Sequence, residues 1–285
     1  MNHIEKYYKQ NLPKLWSHKG YEKYEYAPWD WRYLPFDDNL LEKNNNINKP
    51  IANEINNVSI IEIGSAMGQG YNFLKKSKKI DLNEFEGVEI SQIGHDKSCE
   101  LFPEAKWHNK DFTKYEFKKR FDYGYERHSI HHMPDPINLY HKIFKNINIS
   151  FATTFRGFIE EGTISDLDKC YEIHEGLGKV YWSFISVSEI VKIALEEEFN
   201  HIRIVYLGPH EPINSDKTLK KGAYMAPELI GTKGYSRFSI RFSKLPITEN
   251  PLIYFLVPGK LGGIKNIFRD PLNFIKIKSF IKNFN

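Results

Sequence analysis

The chain has 285 residues, 41% hydrophobic and 27% charged, a balance that supports a packed core and excludes wholesale disorder; the length suits one decorated domain. Two cysteines, Cys99 and Cys170, exclude a disulfide scaffold and an all-cysteine zinc site, and they fit a reducing cytoplasm. With 40 basic and 36 acidic residues, the net charge of +4 permits an anionic ligand and falls short of a nucleic-acid footprint. No apolar run approaches the ~20 residues of a membrane span, and Met1 to Lys6 lacks the basic-then-apolar plan of a signal peptide.

Residues 1–50 form an aromatic, charged cap: Tyr7, Tyr8, Trp16, Tyr21, Tyr24 and Tyr26, then Trp29, Trp31, Tyr33 and Phe36, ending in an Asn/Lys-rich stretch. Val58 to Ile63 is a β-branched run that breaks at Gly64, the pattern of a buried strand. Tyr71 to Lys79 reads as the helix after it, and Phe85 to Ile90 as a second strand. Ser91 to Leu101 is helical in pattern, with Ser91 suited to the N-cap. Lys106 to Asn109 is a third strand and Phe121 to His128 a fourth. A helix over Ile137 to Asn146 follows Pro134 and Pro136, and Ile149 to Phe155 makes a fifth strand. Ser186 to Phe199 is amphipathic, with Val187, Ile190, Val191, Ala194 and Leu195 on its apolar face. Ile202 to Leu207 and Phe238 to Phe242 read as two closing strands.

Strands alternating with helices at this spacing imply βαβ units and a parallel sheet. The stretch between the closing strands, about 208–235, is rich in Gly and Pro and reads as a long loop of the kind often used as a lid. From residue 244 to 285 the chain is basic, with Lys260, Lys265, Arg269, Lys276, Lys278 and Lys282 against Asp270 and many Ile and Phe between them. That extension reads either as an amphipathic helix packed on its own domain or as a segment docking on an anionic membrane surface or a partner. The core is therefore expected over 51–243.

The most informative stretch is Glu62-Ile63-Gly64-Ser65-Ala66-Met67-Gly68-Gln69-Gly70, where a strand ends and a helix begins. Small residues there let a ligand approach the backbone, and helix-start amides offer donors. A dinucleotide fingerprint would need glycine at 66 and 69, where Ala66 and Gln69 stand, and no Gly-Lys-Ser/Thr follows for a phosphate loop. The stretch resembles the first motif, acid-x-Gly-x-Gly-x-Gly, of the class I S-adenosylmethionine-dependent methyltransferases of the small-molecule and glycan type. Glu62, Gly64 and Gly68 match it, and Ala66 takes the middle glycine's place.

By that resemblance Gly64, Ser65, Ala66 and Gly68 would wrap the methionine part of S-adenosylmethionine, whose product is S-adenosylhomocysteine. Glu62 would fix the loop or receive the ammonium group. Glu89, followed by Ile90, would accept the ribose hydroxyls. Asp111 would face the adenine amino group beside Phe112. Phe121-Asp122 and Ser129 to Pro136, including His131-His132-Met133-Pro134, resemble the family's fourth strand and its His-His-x-Pro-x-Pro sequel, and Arg127 joins the cofactor set there. The implied fold is α/β and Rossmann-like, a mostly parallel seven-stranded sheet with helices on both faces and a last antiparallel strand.

The implied reaction is O-methylation of a small polar or anionic acceptor, such as a sugar or a phosphorylated component of a surface polysaccharide. A methyltransferase of secondary metabolism and a non-catalytic S-adenosylmethionine-binding partner subunit are the alternatives. His131 or His132, with His128 competing, reads as a general base; the same pair could simply start a helix. Asp111 could cap a helix as well as bind a ligand. No His-x-x-x-His or His-Glu-x-x-His pair falls on a helix, so no zinc site is expected and no metal ligand is assigned, with magnesium on Asp and Glu left as the alternative. Trp29, Trp31, Tyr33 and Phe36 either close the sheet edge or form part of a lid. No nucleic-acid partner is expected. The expected location is the cytoplasm, with peripheral contact at the inner face of the membrane if the tail docks there.

Overall fold

The computed structural model describes residues 58–77, 84–160, 162–166, 168–174, 178–208, 222–230, 236–244 and 252–256. The aromatic cap, part of the insert and most of the basic tail lie outside these residues.

Five strands form in the expected places. They are β1 (Ser59–Ile63), β2 (Glu84–Glu89), β3 (Lys106–Asn109), β4 (Phe121–Glu126) and β5 (Ile147–Phe158). Between them run α1 (Gln69–Ser77), α2 (Gln92–Leu101) and α3 (Pro136–Lys145). Side-chain caps set the helix starts. Ser91 accepts from the Gly94 amide at 3.3 Å, and Asp135 accepts from the Asn138 amide at 3.3 Å just before Pro136. Each satisfies an amide that the first helical turn leaves unpaired.

Beyond β5 the chain adds β6 (Cys170–His174), β7 (Gly178–Tyr181), β8 (Ile185–Ser186), α4 (Val187–Glu196) and β9 (His201–Gly208). Then come β10 (Gly222–Met225), α5 (Pro227–Ile230), β11 (Ser236–Ser243) and β12 (Leu252–Leu256). The main sheet has the order β12-β9-β11-β5-β4-β1-β2-β3. β1, β2, β3, β4 and β5 are parallel, and β11 runs antiparallel between β5 and β9. The seven strands from β9 to β3 are those the sequence implied. β12 extends the sheet past residue 243, pairing parallel with β9, and β8 adds a short pairing to β5.

Alternation along the strands gives the sheet two faces. Ile61, Ile63, Phe151, Phe155, Phe238, Ile240 and Phe242 belong to one buried cluster with Ile143 and Phe144 of α3 and Ile190 and Val191 of α4. Ile60, Phe85, Tyr123, Tyr125 and Ala152 form a second cluster with Tyr71 and Leu74 of α1. Helices therefore cover both faces. The first cluster includes many aromatic and β-branched side chains with no solvent exposure, each contributing about 1.5–3 kcal/mol by burial.

β10, β6 and β7 form a separate three-stranded antiparallel sheet. Tyr171 and Tyr224 stack across it with centroids 4.5 Å apart. Cys170 and Met225 pack with Phe158, in the last position of β5, and Phe184. Thus the stretch 208–235 is not a plain loop. Its residues 222–225 complete a small sheet begun by the segment after β5, a segment in which the sequence pattern showed no strand.

Candidate functional site

β1 ends at Ile63 and the chain turns at Gly64, whose φ of +70° lies in the left-handed region. A Cβ at Gly64 would also collide with the Ser129 side chain, so the position admits only glycine for two independent reasons. The amides of Gly64 and Ser65 donate to the Val88 carbonyl at 2.8 and 3.2 Å, which fastens the loop to β2. Ala66 follows at φ +51°, and its amide donates to Glu89 Oε2 at 2.8 Å. The other Glu89 oxygen accepts from the Ser91 amide at 2.8 Å. One carboxylate therefore ties the Gly64 to Gly68 loop to the start of α2. Burial pushes the Glu89 carboxyl up to about 7, although its backbone hydrogen bonds pull in the opposite direction.

Glu62 is 2% exposed and lies beneath this loop. Gly70 makes room for it, because a Cβ there would run into Glu62 Oε1 and the Tyr125 hydroxyl. Glu62 Oε2 and the Ser65 hydroxyl are buried without a hydrogen-bond partner. Burial raises the Glu62 carboxyl well above the usual carboxylate range, against the Tyr125 hydrogen bond and the Arg127 charge. Glu62 Oε2 is thus a buried oxygen left with an unused hydrogen-bonding position beside the loop.

Asp111 caps a short 3-10 turn, Phe112–Lys114, with Oδ1 accepting from the Thr113 amide at 2.9 Å. Oδ2 stands outside that capping pair. The Phe112 ring is 2% exposed and stacks on Tyr115 at 5.8 Å, with Lys142 Nζ 5.2 Å over it. The ring expected beside a ligand is thus packed into the core. Asn109 Nδ2 donates to the carbonyls of Glu89 and Ile90 at 3.2 and 3.3 Å, fixing the end of β2 against β3.

β4 stops at Glu126, two residues short of the expected His128, because the Glu126 carboxylate turns the chain. Its Oε2 accepts from the amides of Ser129 and Ile130 at 2.8 and 3.3 Å. Its Oε1 accepts from the Thr154 amide at 3.2 Å and from the Thr153 hydroxyl. Glu126 is 1% exposed, and burial pushes it up to about 7. The sequence pattern offered one clue to this residue, an acid ending the apolar run Tyr123-Gly124-Tyr125.

The turn Ile130–His132 then holds the histidines. His131 and His132 are 2% and 7% exposed, with ring centroids 4.3 Å apart, and His128 lies 5.4 Å from His131. His132 Nδ1 is 2.9 Å from the Tyr181 carbonyl. A carbonyl only accepts, so Nδ1 carries the proton and Nε2 is the basic nitrogen. The Ser183 amide, two residues past the end of β7, donates to the His131 carbonyl at 2.7 Å, so the segment leaving the small sheet is held on the histidine turn. Burial holds His128 and His131 well below the usual imidazole range; Arg156 adds to the effect on both.

The expected loop, Glu62, Glu89 and the histidine turn are thus brought to one edge of the sheet, joined by Ser129 against Gly64. Sequence reasoning missed Glu126 and also Trp182 and Arg156, which flank the histidines. Neither of the last two carries a local motif.

No family model matches the chain, and no curated protein does either. Solved structures do. Haemonchus contortus phospholethanolamine N-methyltransferase 2, in complex with phosphomonomethylethanolamine and S-adenosylhomocysteine, aligns with a TM-score of 0.52 at 17% identity, over 83% of this chain and 60% of that one. The class I methyltransferase fold is the fold of this chain. The N-terminal domain of EvdMO1 with S-adenosylhomocysteine bound aligns over 65% of this chain and 74% of that one, at 13% identity and a TM-score of 0.44. An O-methyltransferase from a Brevibacillus brevis trans-AT polyketide synthase aligns over 53% and 48%, at 17% identity and a TM-score of 0.39.

Proposed function

We infer that the chain is an S-adenosylmethionine-dependent methyltransferase acting on a hydroxyl of a small polar or anionic acceptor. The observation that carries this reading is the buried, unpartnered Glu62 Oε2 beneath a loop of small residues that Glu89 fastens. The residues fit the group on their chemistry. Glu62 would take the ammonium, the loop would lie along the methionine part, Glu89 would take the ribose, and Asp111 Oδ2 would take the adenine amino group. When bound, the cofactor supplies a methyl group on a sulfonium, already an activated leaving arrangement.

The chain's own task is alignment, water exclusion and removal of the acceptor proton. His132 suits the last of these, since the Tyr181 carbonyl fixes its tautomer and leaves Nε2 as the base. The small β10-β6-β7 sheet covers the same edge and would exclude water. A sugar or phosphorylated glycan component of a surface polysaccharide is the proposed acceptor class.

Calorimetric titration with S-adenosylhomocysteine tests the reading. The wild type should bind, and Glu89→Ala should bind at least about tenfold more weakly, as loss of a charge-assisted hydrogen-bond acceptor predicts. No heat with the wild type would overturn it. Binding without methyl transfer to any screened acceptor would favour the non-catalytic partner subunit.

A further inference from the structure

The histidine turn is flanked by more buried hydrogen-bonding groups than their described neighbours satisfy. Trp182 is 1% exposed and its Nε1 has no hydrogen-bond partner. Its ring stacks on His131, centroids 4.9 Å apart and planes 23° apart. The Arg156 guanidinium lies 3.6 Å from the same ring's centroid. Arg156 is 8% exposed, and its Nε and Nη1 are buried without hydrogen-bond partners. Glu172 Oε1 makes an ion pair with the guanidinium, 3.7 Å from Nη1, without a hydrogen bond. His131 Nδ1 is unpartnered as well.

Leaving a buried donor unpaired costs roughly 1–3 kcal/mol, more when it is charged. Several such groups on one stack mark a place where a ligand supplies acceptors. Their location agrees. Arg156 is near the C-terminal end of β5, and His131 follows β4 on the turn whose Ser129 abuts Gly64. Arg237 stands opposite Arg156 in the β11–β5 register, so two permanent cations share this edge. Guanidinium groups keep their charge and present a planar set of donors suited to oxyanions. Arg156 keeps Glu172 as its ion pair, and its Nε and Nη1 donors stay open to the acceptors of an oxyanion.

We propose that Arg156, with Trp182 Nε1 and His131 Nδ1, is the oxyanion subsite of the acceptor pocket, holding a phosphate, sulfate or carboxylate group of the molecule to be methylated. The acceptor role rests on the methyltransferase reading; the anion site itself does not.

The test uses the full chain, titrated with inorganic phosphate and with sulfate at constant ionic strength made up with chloride. S-adenosylhomocysteine is titrated into the same samples. Phosphate or sulfate should bind the wild type. R156Q should bind it at least tenfold more weakly, R156K should fall between, and cofactor-product affinity should be unchanged in both. If R156Q loses its cooperative melt, R156K and W182F carry the comparison. A wild type that binds neither anion above chloride, or an R156Q that binds as tightly, overturns the proposal. Anion binding that depends on Arg156 without any binding of S-adenosylhomocysteine removes the acceptor role and the methyltransferase reading together, leaving the anion site.

Discussion

Replacing Glu126 by Gln separates the cost of burying a charge from the value of the hydrogen bonds it makes. The carboxyl stands at about 7 in the folded protein against an ordinary value of 4.5. The folded state therefore holds this proton more tightly than the unfolded state. The stability it contributes is fully present below pH 4.5 and is lost as pH rises through 7. Two and a half units at about 1.4 kcal/mol each amount to about 3 kcal/mol. Gln carries no charge and removes that loss. It also turns an amide toward a backbone N–H, of Ser129 and Ile130 or of Thr154, that an oxygen accepts from now. That mismatch costs about 1–3 kcal/mol at every pH. In urea denaturation followed by tryptophan fluorescence, Glu126→Gln should be less stable than wild type at pH 4. From pH 4 to pH 8 the difference should shift by about 3 kcal/mol in the variant's favour, enough to close or reverse it. Curves that stay parallel from pH 4 to pH 8 would refute both the buried charge and its pH window.

Gly64→Ala should cost about 1–2 kcal/mol for the left-handed backbone alone, plus the collision with Ser129. A Ser129→Gly second change should recover the collision part and not the backbone part, as paired melts would show. For His131, burial below the usual imidazole range predicts that kcat/KM on an identified acceptor shows no inflection near pH 6.5 from this ring; an inflection there that vanishes in His131→Gln would contradict it. Cys170 is buried and its thiol is pushed up to about 12, whereas Cys99 is exposed. Iodoacetamide at pH 8 should label Cys99 alone, read by mass spectrometry; rapid double labelling would mean that β6 opens. Phe144→Ala, from full burial among Phe151, Phe199 and Phe242, should destabilise by about 3–5 kcal/mol in the same urea assay.

The residues around 58–155 could be read without tertiary knowledge because their signals are local. A β-branched run broken by Gly64, Ser91 before a helical stretch and Pro136 after Asp135 each fix an element within one turn. Glu62 and Glu89 sit at strand ends for the same local reason, and the structure brings both to the Gly64 loop. The strands β6, β7 and β10 carry no such signal. They are short, and Cys170, Tyr181 and Tyr224 become buried only when the three segments pair across some 50 residues. β12 likewise becomes a strand only through the open edge of β9.

Chain order alone therefore determined a parallel α/β sheet with a small-residue loop and two acids at one edge, since periodicity and backbone sterics act over neighbouring residues. What stands over that edge was decided by folding. Trp182 and Arg156 acquire their stack with His131, and Glu126 its donors on Thr153 and Thr154, through contacts between elements distant in sequence. No local pattern encodes such contacts, because their free energy comes from the burial and pairing of groups that meet only in three dimensions.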